Sequence, residues 1–436
     1  MKISRIIQNS NIIKRVVITG MGVVAPNAVG LVDFEAALKE GKSGIRFIEE
    51  LKDLKFSCQV GGIPPVTLEQ KQQYFSELEL KRLKANGVLY GCIAGMDAWK
   101  DAGLTISNRK TDEADWDSGC IMGAGLASAR AIRYAMYMID DLKTRRLGST
   151  ITQQTMSSGV SAYLGGMLGL GNQVTTNASA CSTGTEAIIM GAERIRLGKA
   201  KRMLCGGCDS AGPYVWAGFD AMRVMNRRSN DAPEKASRPM SETATGFVPG
   251  GGAGALLLED LESALARNAP IYAEVLGGFT NSGGQRKSGT MTAPNISGIE
   301  RCIIGALQDA GIEASEVDAI SGHLTSTMFD PGEVGSWSKA LQRTGSDFPY
   351  INALKSMIGH CLSAAGAIEA VAAVLQLKGN FLHPSLNCED LHPKIAELID
   401  AKRIPRTFQE TDLNIFAKSS FGFGDVNSCV IFKKYK

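Results

Sequence analysis

Histidine is scarce in this chain of 436 residues, with four in all, and aromatic residues make up only 6%. Neither sign of charge dominates: 47 Lys and Arg stand against 44 Asp and Glu, a net charge of +3. Nothing in that balance demands a nucleic acid or an anionic membrane as partner. No uncharged apolar run reaches the ~18 residues of a membrane helix. The N-terminal stretch Met1–Val24 carries Lys14 and Arg15 within its apolar part, so neither a membrane span nor a signal peptide is expected. Ten cysteines without framework spacing are too few for a disulfide scaffold, and a reducing cytoplasm suits them. Pro/Ser linkers and low-complexity segments are also lacking, which excludes domains strung as beads.

What is present is an ordinary globular composition, 44% hydrophobic and 21% charged, with 49 glycines. Apolar, glycine-bounded runs recur at Arg15–Gly20, Ser118–Gly123, Arg202–Gly206, Gly254–Leu258, Val317–Gly322 and Ser428–Phe432. Helix-like stretches separate them, so the fold class is α/β with buried strands. Two Ala/Gly-rich helical segments, Thr183–Leu197 and Leu362–Leu377, are expected to be buried on every side at the centre of the molecule. A faint echo relates Ala98–Leu104 to Ala306–Ile312 at an offset of 208, and the two central helices follow at an offset nearer 183. Duplication and chance recurrence of a common Asp-Ala-Gly helix end both remain open here.

Several motifs resolve into commonplace features. Gly20-Met-Gly22 resembles a dinucleotide fingerprint, but Pro26 breaks the helix that would hold a pyrophosphate, so a tight turn leaving the first strand is expected. Cys205-Gly-Gly-Cys208 lacks a second ligand pair and reads as two core cysteines. His383 and His392, each followed by proline, read as surface or turn residues.

Cys181 is different. An apparent strand, Gln173–Ala178, turns into the first central helix at Ala180-Cys181-Ser-Thr-Gly. Free helix N–H groups at that point favour a thiolate, so a pre-activated nucleophile is expected. His323 follows a strand in Gly322-His-Leu-Thr-Ser-Thr327, while Lys355-Ser-Met-Ile-Gly-His360 leads into the second central helix. Singly, each histidine suits a hydrogen-bonded core role. With the cysteine they form the set that carries an acyl group and stabilises an enolate. The loop Ser419–Asn427, containing Phe421-Gly-Phe-Gly424, offers exposed backbone N–H groups suited to an oxyanion hole.

From Lys14 to Lys433, in this combination and order, the chain resembles the elongating β-ketoacyl-acyl-carrier-protein synthases, types I and II, of the thiolase superfamily. The resemblance implies a duplicated five-layered αβαβα fold, with an N-terminal half at 14–258 and a C-terminal half at 259–436. It implies a dimer, usually of identical subunits, and calls for no cofactor and no metal. Cys181 would take an acyl group from acyl carrier protein, and His323 and His360 would bind and decarboxylate the malonyl form. Lys355 would orient His323, with Glu333 in support. The backbone N–H groups of Cys181 and Phe421 would hold the oxyanion, and Phe421 would act as a gate. Leu126, Thr325, Thr327 and Phe423 would line the substrate path, Leu126 at the position that limits acyl length. Carrier docking would fall to Lys81, Arg82 and Lys84, and to Arg223, Arg227 and Arg228; a solvated helix face is the competing account of the first cluster.

The family usually has glycine at Leu324 and Asp425, threonine at Val426 and an acid at Gly251. Leu324 is expected to add bulk beside His323, and Asp425 a charge near the oxyanion loop. Ordinary fatty-acid elongation is therefore accompanied by a second reading, a specialised type II polyketide or polyene pathway. A degradative thiolase would need a second cysteine in the C-terminal glycine loop, where Phe421 stands. A chain-initiating synthase would have Asn in place of one histidine, and a chain-length-factor partner would lack the nucleophile.

Overall fold

The computed structural model describes residues 13–436. Its main strands are β1 (Val16–Ala25), β2 (Ser118–Ala124), β3 (Val174–Thr175), β4 (Arg202–Asp209), β5 (Gly252–Asp260), β6 (Ala273–Ser282), β7 (Ala319–Ser321), β8 (Tyr350–Asn352), β9 (Ile415–Gly422) and β10 (Val426–Lys434). They run in the order β8-β7-β9-β10-β6-β1-β5-β4-β2-β3. The seam between β1 and β6 is short, an antiparallel pairing of Val16–Ile18 with Ala273–Val275. Outward from that seam the two sides repeat each other. β1, β5, β4, β2 and β3 join by two antiparallel and then two parallel steps, and β6, β10, β9, β7 and β8 do the same.

Helices α1 (Asn86–Asp101) and α2 (Gly159–Leu168) pack with the outer face of the first five strands in one apolar cluster. Helices α4 (Ile296–Ala310) and α5 (Asp330–Leu341) do so for the second five. Between the sheets lie α3 (Thr183–Arg196) and α6 (Ala365–Gly379), in a central cluster fed by both halves. The layers are therefore α, β, α, β, α, as the resemblance implies.

The echo at Ala98–Leu104 reflects this duplication. A side chain on Gly20 of β1 would strike Ala102 at the end of α1, and one on Gly277 of β6 would strike Ala310 at the end of α4. The same helix-on-strand approach occurs in both halves, at the offset of 208 seen in the sequence. Gly20 and Gly22 thus lie within β1, where the backbone of α1 leaves no room for a Cβ, and no turn follows until Pro26.

The central helices bear out one expectation in full and the other in part. Every residue from Ala365 to Leu377 is buried. The stretch Leu362–Gly379 is long and apolar enough to cross a membrane by composition, but 89% of it is enclosed by protein. α3 is buried for its first turns and then emerges at Glu193. Two glycines let the helices cross at their starts: a Cβ on Gly184 would lie 2.6 Å from Ala367 N, and one on Gly366 would lie 2.4 Å from Thr185 Oγ1.

Other differences from the sequence reading are local. The strand before Cys181 shortens to Val174–Thr175. β5 continues to Asp260, and the short helix Leu261–Ala266 carries the chain towards β6. His383 is fully buried, whereas His392 caps a short helix by accepting from Lys394 N. Cys205 and Cys208 are buried on β4, and all ten cysteines are free and buried.

Candidate active site

Cys181 sits in a 3-10 turn, Ala180–Ser182, that feeds α3. Ala180 takes the left-handed conformation at φ 49°, an uncommon geometry for a residue with a side chain. Local bonds hold it there. Thr183 Oγ1 donates to the Ala180 carbonyl at 2.7 Å and accepts from Ser179 N at 2.8 Å. The Ser182 hydroxyl lies 3.0 Å from the carbonyls of Ser420 and Val426, which ties the turn to β9 and β10. The carboxylate of Glu186 receives the Asn177 amide and the Ser179 hydroxyl from below.

His360 arrives from the other half, after the short helix Lys355–Ile358 and Gly359 at φ 70°. Its backbone N–H donates to the Val248 carbonyl at 2.7 Å. Its turn mirrors that of Cys181, because Leu362 at φ 52° opens a 3-10 turn into α6 just as Ala180 opens one into α3. His323 follows β7, where the Glu333 carboxylate accepts the N–H groups of His323 and Leu324 at 2.6 and 2.7 Å.

The three groups converge. His360 Nε2 is 3.1 Å from Cys181 Sγ, and the imidazole centroids are 5.3 Å apart, edge to face. The sulfur and a nitrogen of each ring lie within 4.8 Å of one another. A backbone amide and a lysine side chain decide the tautomers. Leu362 N–H donates to His360 Nδ1 at 3.2 Å, and Lys355 Nζ stands 3.4 Å from His323 Nδ1. A nitrogen that accepts carries no proton, so each neutral ring bears its hydrogen on Nε2. Burial, followed by the charge of Lys355, holds both imidazoles well below the usual histidine range and keeps them neutral.

Burial also pushes the Cys181 thiol up to about 11, more than Lys355 and the Phe423 N–H pull it down. Desolvation thus opposes the pre-activation expected of a cysteine at a helix start. The oxyanion assignment to Phe421 also changes. β9 runs through Phe421, whose backbone pairs with Asn427; the residue is buried, with its ring 6.2 Å from that of His323. The chain leaves the sheet only after Gly422, and it is the Phe423 N–H that bonds the sulfur. The less buried Phe423 ring stands 5.9 Å from Phe219 and continues through Phe247 to His360.

Behind His323 lie Glu369 and Lys418, which the sequence reading passed over, as it did Asp209 nearer Cys181. Glu369 of α6 pairs with Lys355 at 2.5 Å and with Lys418 of β9 at 2.9 Å, and all three are buried. One signal was available: Glu369 is the lone charge within Leu362–Leu377. Asp209, at the end of β4, accepts the N–H groups of Leu126, Ser210 and Ser363, and burial raises its carboxyl to about 6.

Leu126 itself is 49% exposed on this chain, at the rim beyond β2. Thr325 and Thr327 share a hydroxyl hydrogen bond of 3.0 Å beside His323. Three departures from the family pattern have local packing or hydrogen-bonding roles. Leu324 is fully buried and joins the outer core of the second half, so it adds no bulk to the cavity. The Asp425 carboxylate faces away from the sulfur and accepts N–H groups from Gln285 and Asn295, each at 2.8 Å. A side chain at Gly251 would strike Ala211.

The basic clusters lie apart. Lys81 and Arg82 are exposed, Lys84 is half-buried, and Lys81 faces Glu77 at 3.8 Å. Arg223, Arg227 and Arg228 are exposed on the segment following helix Pro213–Ala221, in which Val224 and Asn226 hydrogen-bond Phe247 beside His360.

A duplicated αβαβα fold that brings a cysteine from one half against two histidines from the other defines a condensing enzyme of the thiolase class. The chain belongs to the β-ketoacyl synthase family: residues 13–264 match its N-terminal domain and residues 272–389 its C-terminal domain. It is 34% identical over 433 residues to the chloroplastic 3-oxoacyl-[acyl-carrier-protein] synthase I of Arabidopsis thaliana, covering 97% of this chain and 87% of that one. A β-ketoacyl synthase structure from Burkholderia phymatum superposes with a TM-score of 0.87 at 29% identity, over 97% of this chain and all of the other. A type II polyketide ketosynthase solved with its acyl-carrier protein gives a TM-score of 0.85 at 28% identity, with the same coverage.

Proposed function

We propose that this protein is a 3-oxoacyl-acyl-carrier-protein synthase, and that the reaction runs through Cys181. The thiol exchanges with an acyl thioester: the Cys181 S–acyl bond forms, the carrier's S–acyl bond breaks, and the proton passes to the departing carrier thiol. Malonyl-carrier protein then loses carbon dioxide, and its thioester becomes an enolate. Two Nε2–H donors aimed into one buried space stabilise that oxygen anion without needing to be charged. The enolate carbon attacks the acyl carbonyl, whose developing oxyanion meets the N–H groups of Cys181 and Phe423. Collapse releases the Cys181 sulfur, which regains a proton, and leaves a 3-oxoacyl group on the carrier.

The observation that carries this reading is the contact of 3.1 Å between His360 Nε2 and Cys181 Sγ, made across the two halves. In the same reading Lys355 and Glu333 position His323, while Thr325, Thr327 and Leu126 lie along the substrate path. The carrier docks its acidic surface on Arg223, Arg227 and Arg228, whose segment borders the aromatic approach to His360. Lys81, Arg82 and Lys84 form the lesser cluster. The enzyme works as a dimer in the cytoplasm, where ten free thiols remain reduced.

The experiment is to incubate the protein with a panel of acyl-carrier proteins and with malonyl-carrier protein and to read both enzyme and carrier by mass spectrometry. A fatty-acid enzyme loads Cys181 from saturated acyl donors and returns the 3-oxo product. Loading restricted to unusual primers would instead support a specialised type II pathway, the reading favoured by the likeness to the polyketide ketosynthase. Condensation persisting in Cys181→Ala would overturn both.

A further inference from the structure

Lys418 has no access to solvent and is carried by β9, a strand whose other side chains from Ile415 to Gly422 are uncharged. Burial holds its ammonium below the usual lysine range, and Glu369 is the chief group that opposes this. Its Nζ donates to the Ser419 carbonyl and, at 3.1 Å, to the Ser420 hydroxyl. It also lies 2.9 Å from Glu369 Oε2, as an ion pair out of line for a hydrogen bond. The other oxygen of that carboxylate holds Lys355, which in turn reaches His323 Nδ1 at 3.4 Å. Four buried groups thus form a file, Lys418, Glu369, Lys355 and His323, that ends at an imidazole facing Cys181.

An unpaired ammonium is costly to bury, and one carboxylate shared by two ammoniums leaves a surplus of positive charge unless another acid contributes. A packing role would be filled at less cost by an apolar side chain, so the charge calls for an account of its own.

We propose that Lys418 is a positioning residue for the decarboxylation half-reaction. By occupying Oε2 of Glu369 it fixes the opposite oxygen on Lys355, which keeps the ammonium at His323 Nδ1 and the His323 proton on Nε2, aimed at the enolate. This proposal rests on the condensing reaction given above. The charged and titratable groups around the two histidines are Lys355, Glu369, Lys418, Glu333, Asp209 and Cys181. Lys355 and Lys418 both oppose protonation of the rings.

The test compares Lys418→Met, which keeps length and removes charge, with Lys418→Gln, which keeps a donor, and with Lys418→Arg, which keeps the charge. Acyl loading of Cys181 and decarboxylation of malonyl-carrier protein are followed separately across pH. In Met and Gln variants, loading is expected at the wild-type rate. The decarboxylation kcat falls about tenfold, the lower end of the loss seen when the group orienting a metal-bound histidine is removed. KM for malonyl-carrier protein stays unchanged. The acid limb of the profile moves to higher pH, because a neighbour opposing protonation has gone, and Arg restores both kcat and the limb.

Should Met prove unstable, Gln carries the test, since it preserves the bonds to Ser419 and Ser420. Wild-type decarboxylation and an unmoved acid limb in a folded Met or Gln variant overturn the proposal. Equal losses in loading and decarboxylation also overturn it, because they describe a general disturbance of the fold. A wild-type protein that neither loads Cys181 nor decarboxylates malonyl-carrier protein fails at the earlier step and removes the functional reading itself.

Discussion

At the scale of single residues, three side chains divide the chemistry. Cys181→Ala should abolish condensation yet leave malonyl decarboxylation measurable, because both Nε2–H donors survive. Replacing His323 or His360 with Ala should lower decarboxylation by ~10²–10³, the usual cost of one lost oxyanion donor. Acylation of Cys181, read by intact mass, should continue in both variants. The pH dependence follows from the direction of the shifts. Both rings bind a proton only well below 6.5, so the working neutral form persists above that value, and decarboxylation should be flat from pH 8 to 6.5. An acid limb centred above 6.5 would contradict the neutral assignment. Cys181, His323 and His360 were legible in the sequence because each stands beside glycine or small polar residues at the end of an element. Phe423 was confused with Phe421 because the two share one motif two residues apart. Only the register of β9 with β10 shows which amide is free of the ladder. Glu369 and Lys418 were missed because a charge within an apolar run has meaning only when its partner, distant in the chain, is known.

At the scale of elements, turns and crossings set the site's precision. Asp425 takes φ 62°, a conformation that glycine adopts freely, and joins the turn after β9 to the loop 285–295 through two amide bonds. Asp425→Gly should relieve that backbone strain while leaving the N–H groups of Gln285 and buried Asn295 without an acceptor, at about 1–3 kcal/mol for a buried group. Faster hydrogen exchange confined to 285–295 would be its signature, with the exchange of α6 unchanged. The crossing of α3 with α6 is less forgiving. Gly366→Val places methyl groups where a single Cβ already lies 2.4 Å from Thr185 Oγ1. Overpacking of this kind costs about 1–3 kcal/mol. The expected result is a lower melting temperature together with loss of condensation, since Thr185, the residue struck, lies in the first turn of α3 just after the Ala180–Ser182 turn that carries Cys181. Both central helices were readable from their Ala/Gly content. The edge strand β8 was not, because three residues carry too little pattern to register, and β3 was read too long for the same reason.

At the scale of the whole molecule, surface charge and assembly come into play. Reversing Arg227 and Arg228 to Glu should raise the carrier-protein KM by about tenfold, the product of two exposed ion pairs near the top of their ordinary range. The effect should shrink at high salt, because the lost attraction is screened. An unchanged KM would move docking to the Lys81 cluster. The duplication could be suspected from a seven-residue echo, but insertions of unequal length hid the rest. The strand order recovers it because pairing direction outlasts sequence likeness.

The central layer has a last consequence. Each sheet finishes its inner face on helices contributed by both copies, and the strands meet only at the short β1–β6 seam. Neither copy can therefore keep its oil-like surface dry alone. Liberated from its sibling, a half would be sticky and short of one side of the reaction. Melting should accordingly occur in one event, with catalysis and architecture lost at the same temperature.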